Sequence, residues 1–144
     1  AAYAGIPLTH RDHAHRVTFV TGHGEETGTE AAGAGPAGAE PDWASLARPG
    51  ATVVFYMGLA RLEHIVARLM ENGAPAGRPA ALIAQGTTAE QQVVAATLGT
   101  IGTEVTARRI ESPALLVIGE VAALHASLAW FGQGPTAESA SQSA

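Results

Sequence analysis

Residues 51–72, ATVVFYMGLARLEHIVARLMEN, constrain the fold more than any other stretch of the chain. The first seven, 51–57, are dominated by β-branched and aromatic side chains and predict a buried strand. Gly58 then breaks the run. From Leu59 onward Leu62, Ile65, Val66, Leu69 and Met70 recur at intervals of three and four, while Arg61, Glu63, His64, Arg68 and Glu71 fall on the other side. That spacing predicts an amphipathic helix over 59–72, with His64 solvated on its polar face, stopped by Gly73 and Pro75. A strand passing through a Gly into an amphipathic helix is the basic unit of an α/β layer.

The rest of the chain extends that unit. VTFVTGH (17–23), PAALIAQGT (79–87), QQVVAATL (91–98) and PALLVIGEV (113–121) predict further strands. WASLA (43–47) predicts one helical turn capped by Asp42, 99–109 a short helix, and AALHASLAWFG (122–132) an amphipathic closing helix. Strands alternating with helices give a mixed β-sheet flanked by helices in one domain. Residues 24–42 are Gly/Ala/Glu-rich with two prolines, predicting a flexible acidic loop, and residues 133–144 predict a disordered tail.

Charge narrows the partners. The net charge is −5, and Glu25, Glu26, Glu30, Glu40 and Asp42 account for it. The remaining eight acids balance eight Arg, and there is no Lys. Nucleic acid is a poor partner for such a body, because phosphate binding needs a concentrated basic surface. No apolar run approaches the roughly 20 residues of a membrane span. No Cys is present, so disulfides, thiolate metal sites and a Cys nucleophile are excluded. A reducing, cytoplasmic setting is the expectation.

Three predicted strands end on Gly: VVFYMG at Gly58, LIAQGT at Gly86-Thr87 and VTFVTGHG at Gly22 and Gly24. One Gly after a strand is usually a turn. Three together, beside Met57 and Thr87, favour a small-molecule pocket, since ligands of open α/β sheets sit beyond the carboxyl ends of strands. The HRDHAH run (10–15) offers His10, Asp12, His13 and His15 as metal ligands. In an extended segment His13 and His15 share one face, with His10 and Asp12 on the other, so hydrogen-bonding histidines are favoured over a metal site. His125 reads as a satisfied structural residue. Ser45, Ser112 and Ser127 lack the strand–elbow–helix setting of a hydrolase nucleophile, and neither a carboxylate pair nor a P-loop occurs.

GIPLTHRD, VTFVTGH, DWASLA, TVVFYMGL, AQGTT, QQVV and ESPALLVIGEVAAL, in that order, carry a family resemblance. Residues 1 to about 132 resemble the C-terminal half of the tetrapyrrole methylase family, in the branch that methylates uroporphyrinogen III. The resemblance implies the C-terminal lobe of a two-lobed α/β fold, with S-adenosylmethionine held between lobes and S-adenosylhomocysteine released. It implies C-methylation of uroporphyrinogen III to precorrin-2, for sirohaem or cobalamin, by a homodimer or by this lobe paired with the N-terminal one. Residues 1–16 then correspond to a remnant of the N-terminal lobe and its connection, and 17–132 to the C-terminal lobe.

By the same resemblance Met57 and Gly86 match positions that contact the cofactor, with Thr87 and Ala114 beside them. Thr9, His10 and Arg11 face the substrate, whose many carboxylates suit a planar, always-charged Arg; a local Arg11–Asp12 turn is the alternative. The family's Gly-rich cofactor loop and its general-base carboxylate belong to the other lobe, so no catalytic residue is assigned here and the isolated chain is expected to be inactive. Residues 24–42 are longer than the family pattern, and TTAEQQ lacks its usual basic residue. Two rival readings fit the same residues: a non-catalytic cofactor-binding or dimerisation module, and a methylase of a later corrin intermediate.

Overall fold

The computed structural model describes residues 1–21 and 41–132. Five strands, β1 (Arg16–Thr21), β2 (Ala51–Tyr56), β3 (Pro79–Ala84), β4 (Gln92–Thr97) and β5 (Ala114–Ile118), form one mixed sheet in the order β1-β2-β5-β3-β4. β1 and β2 are parallel, and every other pairing is antiparallel. The predicted α/β class and all five strands are therefore present. The predicted loop and tail lie almost wholly outside the described residues.

Alternation along the strands sorts the core into two layers. Val53, Phe55, Leu82, Leu116 and Ile118 point to one face, where α1 (Trp43–Leu46), α2 (Leu62–Glu71) and α3 (Ile101–Ala107) cover them. Trp43 stacks on Phe55 with ring centroids 6.1 Å apart, a pairing worth about 1 kcal/mol beyond the area it buries. Asp42 caps α1 as expected, its Oδ1 accepting from the Ser45 N–H at 3.0 Å. Val54, Ala81, Ile83 and Val117 point to the other face. Among the described residues no helix covers that face fully. Ala4, Ile6 and Ala14 of the N-terminal segment lie across it, together with Val121 and Ala122. Gly5 lets the segment pass: its φ is +65°, and a Cβ there would collide with the Leu128 carbonyl.

Three local expectations are corrected. The closing helix expected over 122–132 is cut short at Leu128 and opens as a 3₁₀ turn. A 3₁₀ turn at Glu120–Leu124 leads into α4 (His125–Leu128), and Ala129 is already extended. Its residues pack on the N-terminal segment, where Trp130 Nε1 donates to the Ala2 carbonyl and Tyr3 meets the Trp130 and Phe131 rings. Long-range pairing thus replaces helical periodicity. The helical stretch from 59 starts as a 3₁₀ turn, Leu59–Arg61, before α2, and Met70 is exposed rather than on the buried stripe. His64 is half-buried instead of solvated, packed edge-on against Trp43 at 6.0 Å. The bulky indole reaches past the apolar stripe, and the Arg68 guanidinium covers its ring from 5.9 Å. Among the described residues no helix is long and apolar enough to cross a membrane.

Candidate functional site

Strand register brings the predicted cofactor residues to one edge. Tyr56, the last residue of β2, pairs with Leu115, so Met57 emerges beside Ala114 at the start of β5. Ala114 pairs on its other side with Ala84, the last residue of β3, from which Gln85-Gly86-Thr87 leaves the sheet. Ala84 pairs in turn with Gln92 of β4. Met57, Ala114, Gly86 and Thr87 therefore share one end of three adjacent strands, across about 10 Å.

The backbone at this edge is unusual. Met57 (φ 54°), Gln85 (φ 48°) and Thr87 (φ 72°) all adopt left-handed conformations; the fourth such non-Gly residue described is Arg109. Each costs about 1–2 kcal/mol, and a β-branched Thr is especially ill suited. Strain of this kind concentrates where a particular side-chain or backbone direction is needed. Met57 is 55% exposed although its thioether is apolar. Nothing among the described residues requires Gly86 to be Gly. Its φ is not left-handed, and a Cβ would meet only Ile83 Cγ2 at an ordinary 3.5 Å. Gly58 differs: a Cβ there would press on Phe55 and Ile65 at 3.1 and 3.3 Å, so core packing already demands it.

Hydrogen bonds hold the loop that follows β3. The Gln85 N–H donates to the Pro113 carbonyl (3.1 Å) and its Nε2 to the Ser112 carbonyl (3.3 Å), tying the loop to the segment entering β5. Thr88 Oγ1 donates to the Gln85 carbonyl at 2.8 Å. The Thr87 N–H donates to Gln91 Oε1 at 2.9 Å, and Gln91 Nε2 donates to the Tyr3 carbonyl at 3.3 Å. Gln85 and Gln91 were not singled out in the sequence. Their only signal there is two polar amides flanking the Gly of AQGTTAEQQ.

The predicted substrate residues lie elsewhere. The His15 N–H donates to the Gly50 carbonyl, and Arg16 pairs with Ala51, fixing this segment at the opposite end of the β1–β2 ladder from Met57. Five residue rises along β1 amount to about 16 Å. His10 and Ala14 bridge, so HRDHAH is folded into a turn rather than extended. Within it the Asp12 N–H donates to His10 Nδ1 at 3.2 Å, and the His10 and His13 rings lie 4.7 Å apart. Asp12 faces His10 at 3.9 Å. Thr9 and Arg11 are exposed. The structure thus gathers Met57, Gly86, Thr87 and Ala114, and does not bring Thr9, His10 and Arg11 to them. Among the described residues no three metal-ligating side chains converge.

Two other features have structural explanations. His125 Nδ1 pairs with the Ala4 carbonyl, the satisfied role expected of it. A depression of about 520 Å³ lined by Ile6, Pro7, Leu8 and Leu128 is almost wholly apolar, without the few polar groups that orient a ligand.

Residues 1–102 match the family model described as Tetrapyrrole (Corrin/Porphyrin) Methylases. The siroheme synthase of Pseudoalteromonas translucida is 47% identical over 132 residues, covering 92% of this chain and 26% of that protein. The siroheme synthase of Methylococcus capsulatus is 49% identical over 131 residues, with 91% and 26% covered. The chain spans about a quarter of the length of these curated relatives. Among solved structures, uroporphyrin III C-methyl transferase of Thermus thermophilus superposes with a TM-score of 0.61 at 30% identity, over 83% of this chain and 46% of that one. The same enzyme complexed with S-adenyl homocysteine gives 0.62 at 28%, over 85% and 49%. A cobalt precorrin-4 methyltransferase shares the fold, with a TM-score of 0.67 at 17% identity, over 85% and 47%.

Proposed function

The chain belongs to the tetrapyrrole methylase family, and from that premise we propose that it is the cofactor-side lobe of a methyltransferase that uses S-adenosylmethionine to C-methylate uroporphyrinogen III to precorrin-2. The observation that carries this reading is the convergence of Met57, Gly86, Thr87 and Ala114 on one sheet edge, with strained backbone at two of the four. A solved relative complexed with S-adenyl homocysteine supports the cofactor, and siroheme synthase relatives support the substrate class.

The residues present suit an adenosyl group. Adenine asks for an apolar slot and backbone hydrogen bonds rather than charged side chains. Exposed Met57 offers an apolar surface, and Gly86 leaves open the space that a side chain would fill. When bound, the cofactor supplies an electrophilic methyl on a sulfonium. This chain's contribution is alignment: the Met57 and Gly86 turns fix one end of the donor, and their rigidity limits the orientations it samples. The proton lost from the ring carbon needs a base, and none is assigned here. Thr9, His10 and Arg11 enter the proposal only as a second surface for substrate carboxylates, remote from the cofactor edge.

Titration calorimetry of the purified chain with S-adenosylhomocysteine tests the assignment. Saturable binding that Gly86→Val abolishes is the expected result, and no binding removes the cofactor role of this edge. Methyl transfer to uroporphyrinogen III by the chain alone would overturn the division of labour between lobes.

A further inference from the structure

Gln91 stands outside the residues matched to the cofactor, yet it connects the loop that carries two of them to the N-terminal segment. Its half-buried side chain reaches from the end of the β3–β4 loop to the N-terminal segment. Oε1 accepts from the Thr87 N–H at 2.9 Å, and Nε2 donates to the Tyr3 carbonyl at 3.3 Å. Thr87 needs such a restraint. At φ 72° a β-branched residue sits where an unrestrained chain would not hold it. The neighbouring bonds leave this amide to Gln91: Gln85 bonds the 112–113 segment, and Thr88 bonds back to Gln85 through both its N–H and its hydroxyl.

The amide side chain fits the task in both halves. The oxygen that accepts from Thr87 is the restraint itself, and the nitrogen that donates to Tyr3 helps to orient it; an ionised carboxylate of the same length keeps the first and loses the second. Tyr3 in turn meets the Trp130 and Phe131 rings, and Trp130 Nε1 donates to the adjacent Ala2 carbonyl, so the far end of the brace is tied to the C-terminal stretch of the described residues.

We infer that Gln91 is a positioning residue for the cofactor edge, holding Thr87, and with it Gly86, in the conformation that receives the adenosyl group. This role rests on the cofactor assignment made above. Gln91 acts through the loop and is given no contact with the cofactor.

The test compares Gln91→Leu, which removes both hydrogen bonds, with Gln91→Glu, which keeps an acceptor for Thr87 and loses the donor to Tyr3. Two quantities are read in the purified chain: hydrogen exchange of the Thr87 amide without ligand, and the dissociation constant for S-adenosylhomocysteine. Expected for Q91L are Thr87 exchange at least tenfold faster, unchanged protection at Leu82 in the sheet centre, and binding weakened about tenfold. Q91E is expected to return both readouts to within about threefold of the parent. A Q91L chain that binds within twofold of the parent, or a Q91E chain as weak as Q91L, overturns the inference. Should Q91L lose Leu82 protection, Gln91→Ser, too short to reach Thr87, is read by the same criteria. If the parent binds no S-adenosylhomocysteine, the cofactor assignment fails and the exchange data still decide the brace: unchanged Thr87 exchange in Q91L removes it.

Discussion

The two ends of the sheet are built on opposite principles. At the end where β1 and β2 begin, polar backbone is closed off by the chain itself. Arg78 is buried there and donates to three carbonyls: Leu46 at 3.3 Å and Ala47 at 3.0 Å through Nη1, and Ala51 at 2.9 Å through Nη2. Burial pulls its guanidinium below the usual arginine range, and the charge of Glu120 partly restores it. At the other end, where Met57, Gly86 and Thr87 leave the sheet, the chain holds left-handed backbone and an exposed thioether. At the first end the Leu46, Ala47 and Ala51 carbonyls are satisfied within the molecule by Arg78, whereas the second keeps strained backbone and an exposed thioether that packing among the described residues does not explain. The contrast sets internally satisfied backbone at one end of the strands against the proposed cofactor edge at the other.

If that division is right, substitutions at the two ends should separate the two properties. The largest effect belongs to Arg78→Met, which leaves three carbonyls without their charged donor and should destabilise the chain by about 3 kcal/mol in urea unfolding. Under native conditions its S-adenosylhomocysteine affinity should stay within twofold of the parent; a large loss of affinity at retained fold would collapse the contrast. Gly86→Ala reverses the pattern. Its stability should change by less than about 0.5 kcal/mol, because the new Cβ makes only an ordinary contact, while affinity falls about tenfold. A Gly86→Ala chain that binds normally would show that the missing side chain serves no ligand.

Thr87→Gly sharpens the comparison from the side of strain. Relief of a left-handed β-branched residue, less the added freedom of glycine in the unfolded chain, should raise stability by about 0.5 kcal/mol. Calorimetry on the same variant should show weaker cofactor binding. A destabilised Thr87→Gly chain would mean that the hydroxyl or methyl of Thr87, not its backbone, matters for folding. The smallest effect is expected at Arg11→Ala. This side chain is exposed at the far end, so stability should move by under about 0.5 kcal/mol and cofactor affinity should not respond. An affinity loss there would link the His10–Ala14 turn to the cofactor edge.

Much of this was legible in residue order. The strand at 51–57 declared itself through side chains apolar on both faces, and Asp42 announced the helical turn it caps. The Met57 and Gly86 turns were readable because a Gly closing an apolar strand marks where a chain leaves a sheet. The misread elements share a cause. Residues 122–132 have helical spacing, yet Tyr3, more than a hundred positions away, pulls Trp130 and Phe131 onto the N-terminal segment. His64 occupies a polar position on its helix, yet Trp43 from another helix covers it. Local pattern reports what a segment prefers, and distant contacts override it when they bury more.

The sequence by itself determined the α/β class, the five strands, and the residues whose order matches the tetrapyrrole methylases, because periodicity and turn chemistry are local properties written in neighbouring side chains. Only the tertiary structure decided which of those strand ends meet. Met57, Ala114 and Gly86 come together through antiparallel register between β2, β5 and β3, and Thr9, His10 and Arg11 are carried to the other end by the parallel start of β1. Register is a pairing between segments far apart in the chain, fixed by which faces the core buries, and no single segment encodes it.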